Sequence, residues 1–125
     1  MRNEQILEKF GQILISEVRD EAIEKFEMVA SGRIKSELAQ KIHQKLSVFS
    51  DDEKKTIRDV VVSSIDDVIH NILWMIEQRE EDVSLLCGGK GVKKEDVNKL
   101  SDGLSGEIYS EDGWIAKFSR YKENY

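Results

Sequence analysis

The chain has 125 residues, of which 39% are hydrophobic and 35% are charged, values that indicate one folded domain and argue against disorder. The formal net charge of −6 and the even spread of Lys and Arg argue against a nucleic-acid partner, since phosphate contacts need a clustered basic face. We find no run of about 18 apolar residues, so we predict no membrane span.

The whole net charge lies on one segment. Acidic and basic residues number 8 and 8 in residues 1–50, 10 and 4 in residues 51–82, and 7 and 7 in residues 83–125. This acidic segment favours a basic protein partner, or else a solvated helix face. Cys87 is the one cysteine and cannot form an internal disulfide, which is typical of a reducing compartment, so we predict a cytoplasmic protein.

Three helices are predicted in the N-terminal two thirds of the chain. Apolar residues from Ile6 to Ala30 follow helical spacing, and Ser31-Gly32 predicts the end of that first helix. A second helix runs from Ile34 to Leu46. The sequence Ser50-Asp51-Asp52-Glu53 then spells a capping box and predicts a third helix from about Asp51 to about Arg79.

The third helix is predicted to be amphipathic. Its apolar stripe and its opposite, more polar side follow from a turn of about 100° per residue. The stripe consists of Ile57, Val61, Ile65, Val68, Ile69, Ile72, Leu73 and Ile76, and the opposite side of Asp59, Ser63, Asp66, His70, Trp74 and Glu77.

Beyond Asp82 the pattern changes. Residues 83–100 remain open between strand, helix and loop, whereas residues 104–109 and 114–121 are predicted to be strands joined by a turn containing Asp112-Gly113. The fold class is therefore mainly α (α+β), with a three-helix body, a long third helix and a small C-terminal β-hairpin packed on it. We predict a single domain over 1–125, with a helical body 1–82 and a loop and β element 83–125.

A first candidate site follows the polar side of the third helix. Asp66, His70, Trp74 and Glu77 are four, four and three residues apart and share one stripe. An Asp–His pair could orient a general base or supply two metal ligands, but a nucleophile and a third ligand are missing. The structural alternative is that the hairpin covers Trp74. If it does not, Trp74 becomes a binding hot spot, and with Asp59 these four residues would contact a partner.

A second candidate site is a small pocket of carboxylates, glycines and an aromatic ring. Its members are Asp102, Glu107, Asp112 and Trp114, and the alternative is ordinary turn chemistry. Calcium-loop and phosphate-loop spacings are absent around these residues and around Gly88-Gly89-Lys90-Gly91. We therefore predict no metal, no cofactor and no catalytic residue.

A set of residues carries a resemblance to a group of small bacterial proteins of similar length. Some members of that group are labelled epimerase, and its size and acidity are similar to those of immunity proteins of bacterial toxin systems. No cofactor loop supports epimerisation here. The residues are Ile65-Asp66, His70, Leu73, Ser101-Asp102-Gly103-Leu104, Gly106-Glu107-Ile108-Tyr109, Glu111-Asp112-Gly113-Trp114, Ala116-Lys117 and Ser119.

Three functions are weighed on these observations. The first is a protein-binding domain, most concretely an immunity-type inhibitor that neutralises a basic toxin through the acidic third helix. The second is a small enzyme or ligand-binding protein with a pocket around Asp66, His70 and Trp74. The third is a homodimeric helical scaffold that pairs parts of the long helices.

Overall fold

The computed structural model describes residues 2–122, and its helices up to Gln78 follow the three predicted helices closely. The elements in chain order are α1 (Asn3–Leu14), a π-helical segment (Ile15–Arg19), α2 (Asp20–Ala30), α3 (Glu37–Leu46), α4 (Asp51–Gln78), β1 (Leu86–Gly89), β2 (Val92–Asp96), α5 (Val97–Leu100), a 3-10 helix (Leu104–Ile108) and α6 (Trp114–Phe118).

The first predicted helix is continuous from α1 through the π-helical segment to α2. It ends at Ser31 and Gly32, and Gly32 has a φ of +80°, the left-handed conformation that the sequence predicted for this position. A side chain at position 32 would be strained, because the residue would have a positive φ and its Cβ atom would lie 2.8 Å from the ring of His43, which would have to shift. The imidazole of His43 in turn lies 2.7 Å from the carbonyl oxygen of Ala30, which fixes α3 against the end of α2.

The start of α4 is the capping box that the sequence predicts. The Ser50 hydroxyl accepts from the Glu53 backbone nitrogen at 3.2 Å, and the Glu53 carboxylate accepts from the Ser50 backbone nitrogen at 2.8 Å. The long helix then runs to Gln78, one residue short of the predicted end. Within residues 2–122, no helix is both long enough and apolar enough to cross a membrane.

The mainly α class with a small β-hairpin is confirmed, but the predicted positions of the strands were wrong. The antiparallel hairpin is β1 with β2, in the part of the chain whose structure the sequence left open, and Gly91 turns it with a φ of +72°. Residues 104–108 form a 3-10 helix and residues 114–118 form α6. Their buried side chains recur three and four residues apart, which is helical spacing, and the Asp112-Gly113 turn joins two helical segments and not two strands.

The hairpin also packs differently from the prediction. β1 lies mainly against α1, and the 3-10 helix occupies the side of α4 that was assigned to the hairpin. The core therefore sits where α1, α4 and the C-terminal segment meet. Its buried members are Ile6, Ile15, Ile69, Leu73, Ile76, Cys87, Val97, Leu104, Ile108, Trp114 and Ile115.

Candidate functional site

The long helix α4 has a core side that differs from the predicted one. Its buried residues recur at intervals of four and three, which is one face of a helix, and they include a carboxylate: Val62, Asp66, Ile69, Leu73 and Ile76. The prediction that Asp66 faces away from the core is therefore wrong. Because Asp66 is turned inward, Val68 and Ile72 of the predicted apolar stripe are turned outward, and they are 58% and 49% exposed.

The reason for the rotation is a charge buried on the first helix. Arg19 is 1% exposed, and its Nε donates to Asp66 Oδ1 at 2.6 Å while its Nη2 donates to Asp66 Oδ2 at 3.3 Å. A buried guanidinium needs a paired carboxylate, and this two-point contact is the strong form of such a pair. Asp66 thus has a structural role, to pair with the buried charge of Arg19, and the sequence did not predict that role.

The ion pair belongs to a larger buried network, defined here as Arg19, Asp20, Asp66 and Ser119. Arg19 Nη1 donates to Ser119 Oγ at 2.8 Å and to the Tyr121 carbonyl at 2.9 Å. The Ser119 hydroxyl donates to Asp20 Oδ1 at 2.6 Å. The buried network therefore holds the segment after α6 against two helices, and Arg19 lies at the last position of the π-helical segment, a kind of distortion that often marks functional sites.

Sequence analysis missed this network although a signal was present. Arg19 lies between Ile15 and Ile23 at intervals of four, and all three are fully or almost fully buried. Asp66 occupies the corresponding place between Val62 and Ile69 on α4. Arg19 on the first helix and Asp66 on α4 carry opposite charges at core positions, a pattern that predicts that the two residues meet.

His70 and Glu77 contact the C-terminal segment, which covers one flank of α4. The His70 ring centroid lies 5.8 Å from that of Tyr109, with the planes tilted by 37°. The Glu77 carboxylate accepts from the backbone nitrogen of Ser105 in the 3-10 helix. Burial, followed by the charges of Asp66 and Asp67, raises the pKa of Tyr109. His70 and Glu77 thus anchor the C-terminal segment to α4.

Trp74 is not covered. Its side chain is 50% exposed on the side of α4 that faces away from the core, so the structural alternative of a hairpin over Trp74 is wrong. Asp59 lies at the surface and pairs with Lys55 at 2.9 Å. Of the five residues predicted to bind a partner, Asp66 is buried, and His70 and Glu77 are held by the C-terminal segment. The side chains of Asp59 and Trp74 are 43% and 50% exposed.

Trp74 belongs to a group of apolar side chains that we call the outer strip. These side chains lie on the part of α4 that faces away from its buried residues, and each is between 43% and 60% exposed. Trp and Met side chains are enriched where proteins bind each other. The outer strip consists of Val60, Val68, Ile72, Trp74 and Met75.

Three of the four predicted pocket residues line one groove of about 600 Å³ between the start of α1 and the segment from Leu100 to Lys117. Glu107, Asp112 and Trp114 contribute to it, whereas Asp102 does not line it and is exposed. Burial raises the pKa of the Glu107 carboxyl, although hydrogen bonding from Ser101 and the Lys117 charge act in the opposite direction.

The Trp114 ring is mainly a core residue and exposes little of its surface to the groove. It is 3% exposed and meets Phe10 edge to face, with ring centroids 5.7 Å apart. Gly11 makes room for it, because a Cβ atom at Gly11 would lie 2.5 Å from the indole. The wall of the groove also holds a Lys117–Glu8 ion pair at 2.6 Å.

Among the residues that the structure describes, no three or more His, Cys, Asp and Glu side chains are grouped to hold a metal ion. The chain matches no protein-family model, no curated protein and no solved structure. The resemblance to small bacterial proteins therefore stays a prediction, and the geometry of α4 carries the functional argument.

Proposed function

We propose that this chain is a protein-binding domain and that the outer strip of α4 is its recognition surface. The observation that carries the proposal is the outward placement of five large apolar side chains within 16 residues of one helix, each at least 43% exposed. Single exposed apolar residues are ordinary on protein surfaces, but five on the outward half of one helix are more apolar surface than such a helix needs, and larger exposed apolar areas are typical of binding sites. The core side of the same helix is complete without them.

Trp74 supports the proposal most strongly among these residues. Tryptophan is the residue type most enriched among those that dominate binding energy, and such residues lie near the centre of an interface. Half of the Trp74 side chain remains available for contact, because the C-terminal segment packs on the His70 and Glu77 flank instead. Truncating a residue of this kind costs about 2 kcal/mol or more of binding free energy.

The charge around the outer strip indicates the kind of partner. The helix contains no Lys or Arg between Arg58 and Arg79, whereas Asp67 lies exposed beside Val68. A basic partner would gain faster association and specificity from this surface. The finer proposal is an immunity-type inhibitor in the bacterial cytoplasm that binds a basic toxin through α4.

Site-specific photocrosslinking tests the surface and does not require that the partner be identified beforehand. A photoreactive phenylalanine analogue replaces Ile72 on the outer strip, and in a matched variant it replaces Leu38 on α3, which is 70% exposed. Both proteins are irradiated in an extract of the source cells, and the adducts are resolved by mass. We expect a discrete adduct from position 72 that position 38 does not give.

The test has a direct contrary outcome. An identical adduct pattern from positions 72 and 38, or no adduct from position 72, would show that the outer strip is ordinary surface. Addition of an excess of unlabelled protein should abolish the adduct from position 72. An excess of a Trp74→Ala variant should compete less well, by about 30-fold for a loss of 2 kcal/mol.

A further inference from the structure

The outward side of α4 carries the spacing of a helix that pairs with another helix. Four apolar and two polar residues recur there at intervals of four, three, four, three and four, the repeat of a coiled coil. The two at its N-terminal end are half-buried and the other four are exposed. With a rise of about 1.5 Å per residue the seam is about 27 Å long. We call these residues the seam: Ile57, Val61, Ser64, Val68, Asn71 and Met75.

The residues that flank the seam complete the pattern. Val60, Asp67 and Trp74 follow one another at intervals of seven on one flank, and Arg58, Ile65 and Ile72 do so on the other. In paired helices these flanking positions choose the partner, since a charge there faces a charge on the other helix. The two charged flanking residues are Arg58 and Asp67. Arg58 pairs with Glu27 at 2.7 Å, whereas Asp67 is exposed and therefore sets the charge that a docked helix meets.

The charge of the acidic segment distinguishes between the molecules that could bind along the seam. In a second copy of this chain, acidic segments would meet acidic segments, because residues 51–82 of each copy carry 10 acidic and 4 basic residues. An anionic lipid surface would be repelled in the same way. A helix that carries Lys or Arg beside its apolar side would gain both the apolar contact and the charge contact with Asp67.

We propose that the partner presents an amphipathic helix with basic flanking residues, and that this helix packs along the seam with a Lys or Arg opposite Asp67. The inference rests on the proposed function and names the partner's recognition element. Trp74 lies over the end of the docked helix, and Asn71, one of the two polar members of the seam with Ser64, fixes its register.

Three synthetic peptides of about 20 residues, six turns of helix, test the proposal. The first is an amphipathic helix with Leu at seam positions and Lys or Arg on the flanks. The second has the same composition in scrambled order, and the third replaces every Lys and Arg with Glu. Binding is followed by calorimetry at physiological salt and by the fluorescence of Trp74, with Trp74→Phe as the control for the signal. We expect the first peptide to bind at least about tenfold more tightly than the others, a difference of about 1.4 kcal/mol.

Protein variants locate the bound peptide. The double variant Val68→Asp, Ile72→Asp should weaken binding at least about tenfold, and Leu38→Asp on α3 should change it less than about twofold. Asp67→Lys should reduce the preference for the basic over the acidic amphipathic peptide. These positions are exposed, so circular dichroism and urea unfolding should show a folded protein in each case.

Each contrary outcome has its own meaning. Equal binding of the scrambled peptide would overturn helix pairing, and equal binding of the acidic peptide would overturn the charge requirement. A concentration-dependent dimer that Ile72→Asp dissociates would assign the seam to a second copy, and binding of phosphatidylcholine vesicles through Trp74 would assign it to a membrane. If position 72 gives a crosslinked partner but no peptide binds, the proposed function survives and this inference fails.

Discussion

Replacing Asp66 with alanine removes one partner of an ion pair that is almost entirely buried. The side chains of Arg19 and Asp66 are 1% and 4% exposed, and the carboxylate receives two hydrogen bonds from the guanidinium. Breaking a buried pair from one side costs about 3–5 kcal/mol, since a charge is left without its counter-charge. Arg19 keeps its bonds to Ser119 and to the Tyr121 carbonyl, and the buried Asp20 carboxylate stays 3.8 Å from its Nη1, so we expect the lower end of that range.

Urea unfolding measured by circular dichroism checks this magnitude. With a slope of about 2 kcal/mol per molar urea, a loss of about 3 kcal/mol lowers the midpoint by about 1.5 M. Asp67→Ala is the matched control, because Asp67 is the next residue on the same helix and is exposed. It should change the free energy of unfolding by no more than about 0.5 kcal/mol.

A milder variant keeps the test usable if Asp66→Ala does not fold. Asp66→Asn retains a carbonyl oxygen that can accept from Arg19 but loses the charge, so its stability should lie between those of the wild type and the alanine variant. Equal stabilities for the variants at 66 and the control at 67 would refute the reasoning, because they would place Asp66 at the surface.

Three further predictions concern local packing, capping and titration. Gly11→Ala should lower the free energy of unfolding by about 1–3 kcal/mol in thermal or urea unfolding, because the added Cβ would lie 2.5 Å from the Trp114 indole; a gain from the better helix propensity of alanine would contradict this packing. Ser50→Ala should cost about 1 kcal/mol through loss of the α4 cap, and an unchanged urea midpoint would show that the cap does not stabilise the helix. The pKa of Glu107 is raised above its usual 4.5, so its contribution to stability is complete below pH 4.5 and is lost as the pH rises through the folded-state pKa. The wild type should therefore lose stability relative to Glu107→Gln as the pH rises from about 4 to about 7, and a difference of the opposite sign would exclude burial as the cause.

Local signals determined the parts of the fold that the sequence could predict. The reciprocal hydrogen bonds of Ser50 and Glu53 and the left-handed conformation of Gly32 depend on neighbouring residues alone, and both are confirmed. The length of α4 follows from the same local pattern. The class, mainly α with a small β-hairpin, follows from these elements together.

Long-range contacts determined what the sequence did not predict. The orientation of α4 depends on Arg19, which lies 47 residues away along the chain, and the demand for Asp66 outweighs the apolar periodicity that would have buried Val68 and Ile72. The segment from Leu104 to Phe118 adopts helical turns because its apolar residues pack against α1 and α4. Short apolar runs of this kind are ambiguous between helix and strand.

The candidate sites also differ in whether local signals or long-range contacts determine them. Trp74 was singled out from the sequence because a large aromatic ring on a polar helix side needs a cover or a partner, and the structure leaves it uncovered. Its apolar neighbours on the outer strip were not recognised, because two of them, Val68 and Ile72, had been assigned to the core. The buried network was not predicted, because charged side chains are expected to face solvent.

The most direct test of the recognition surface is acrylamide quenching of tryptophan fluorescence, with and without the partner captured through position 72. Trp74 is 50% exposed and Trp114 is 3% exposed, so the free protein should show one accessible and one protected component, and Trp74→Phe should lack the accessible one. In the complex the accessible component should become protected. If Trp74 stays as accessible in the complex as in the free protein, the partner binds elsewhere and the outer strip is not the recognition surface.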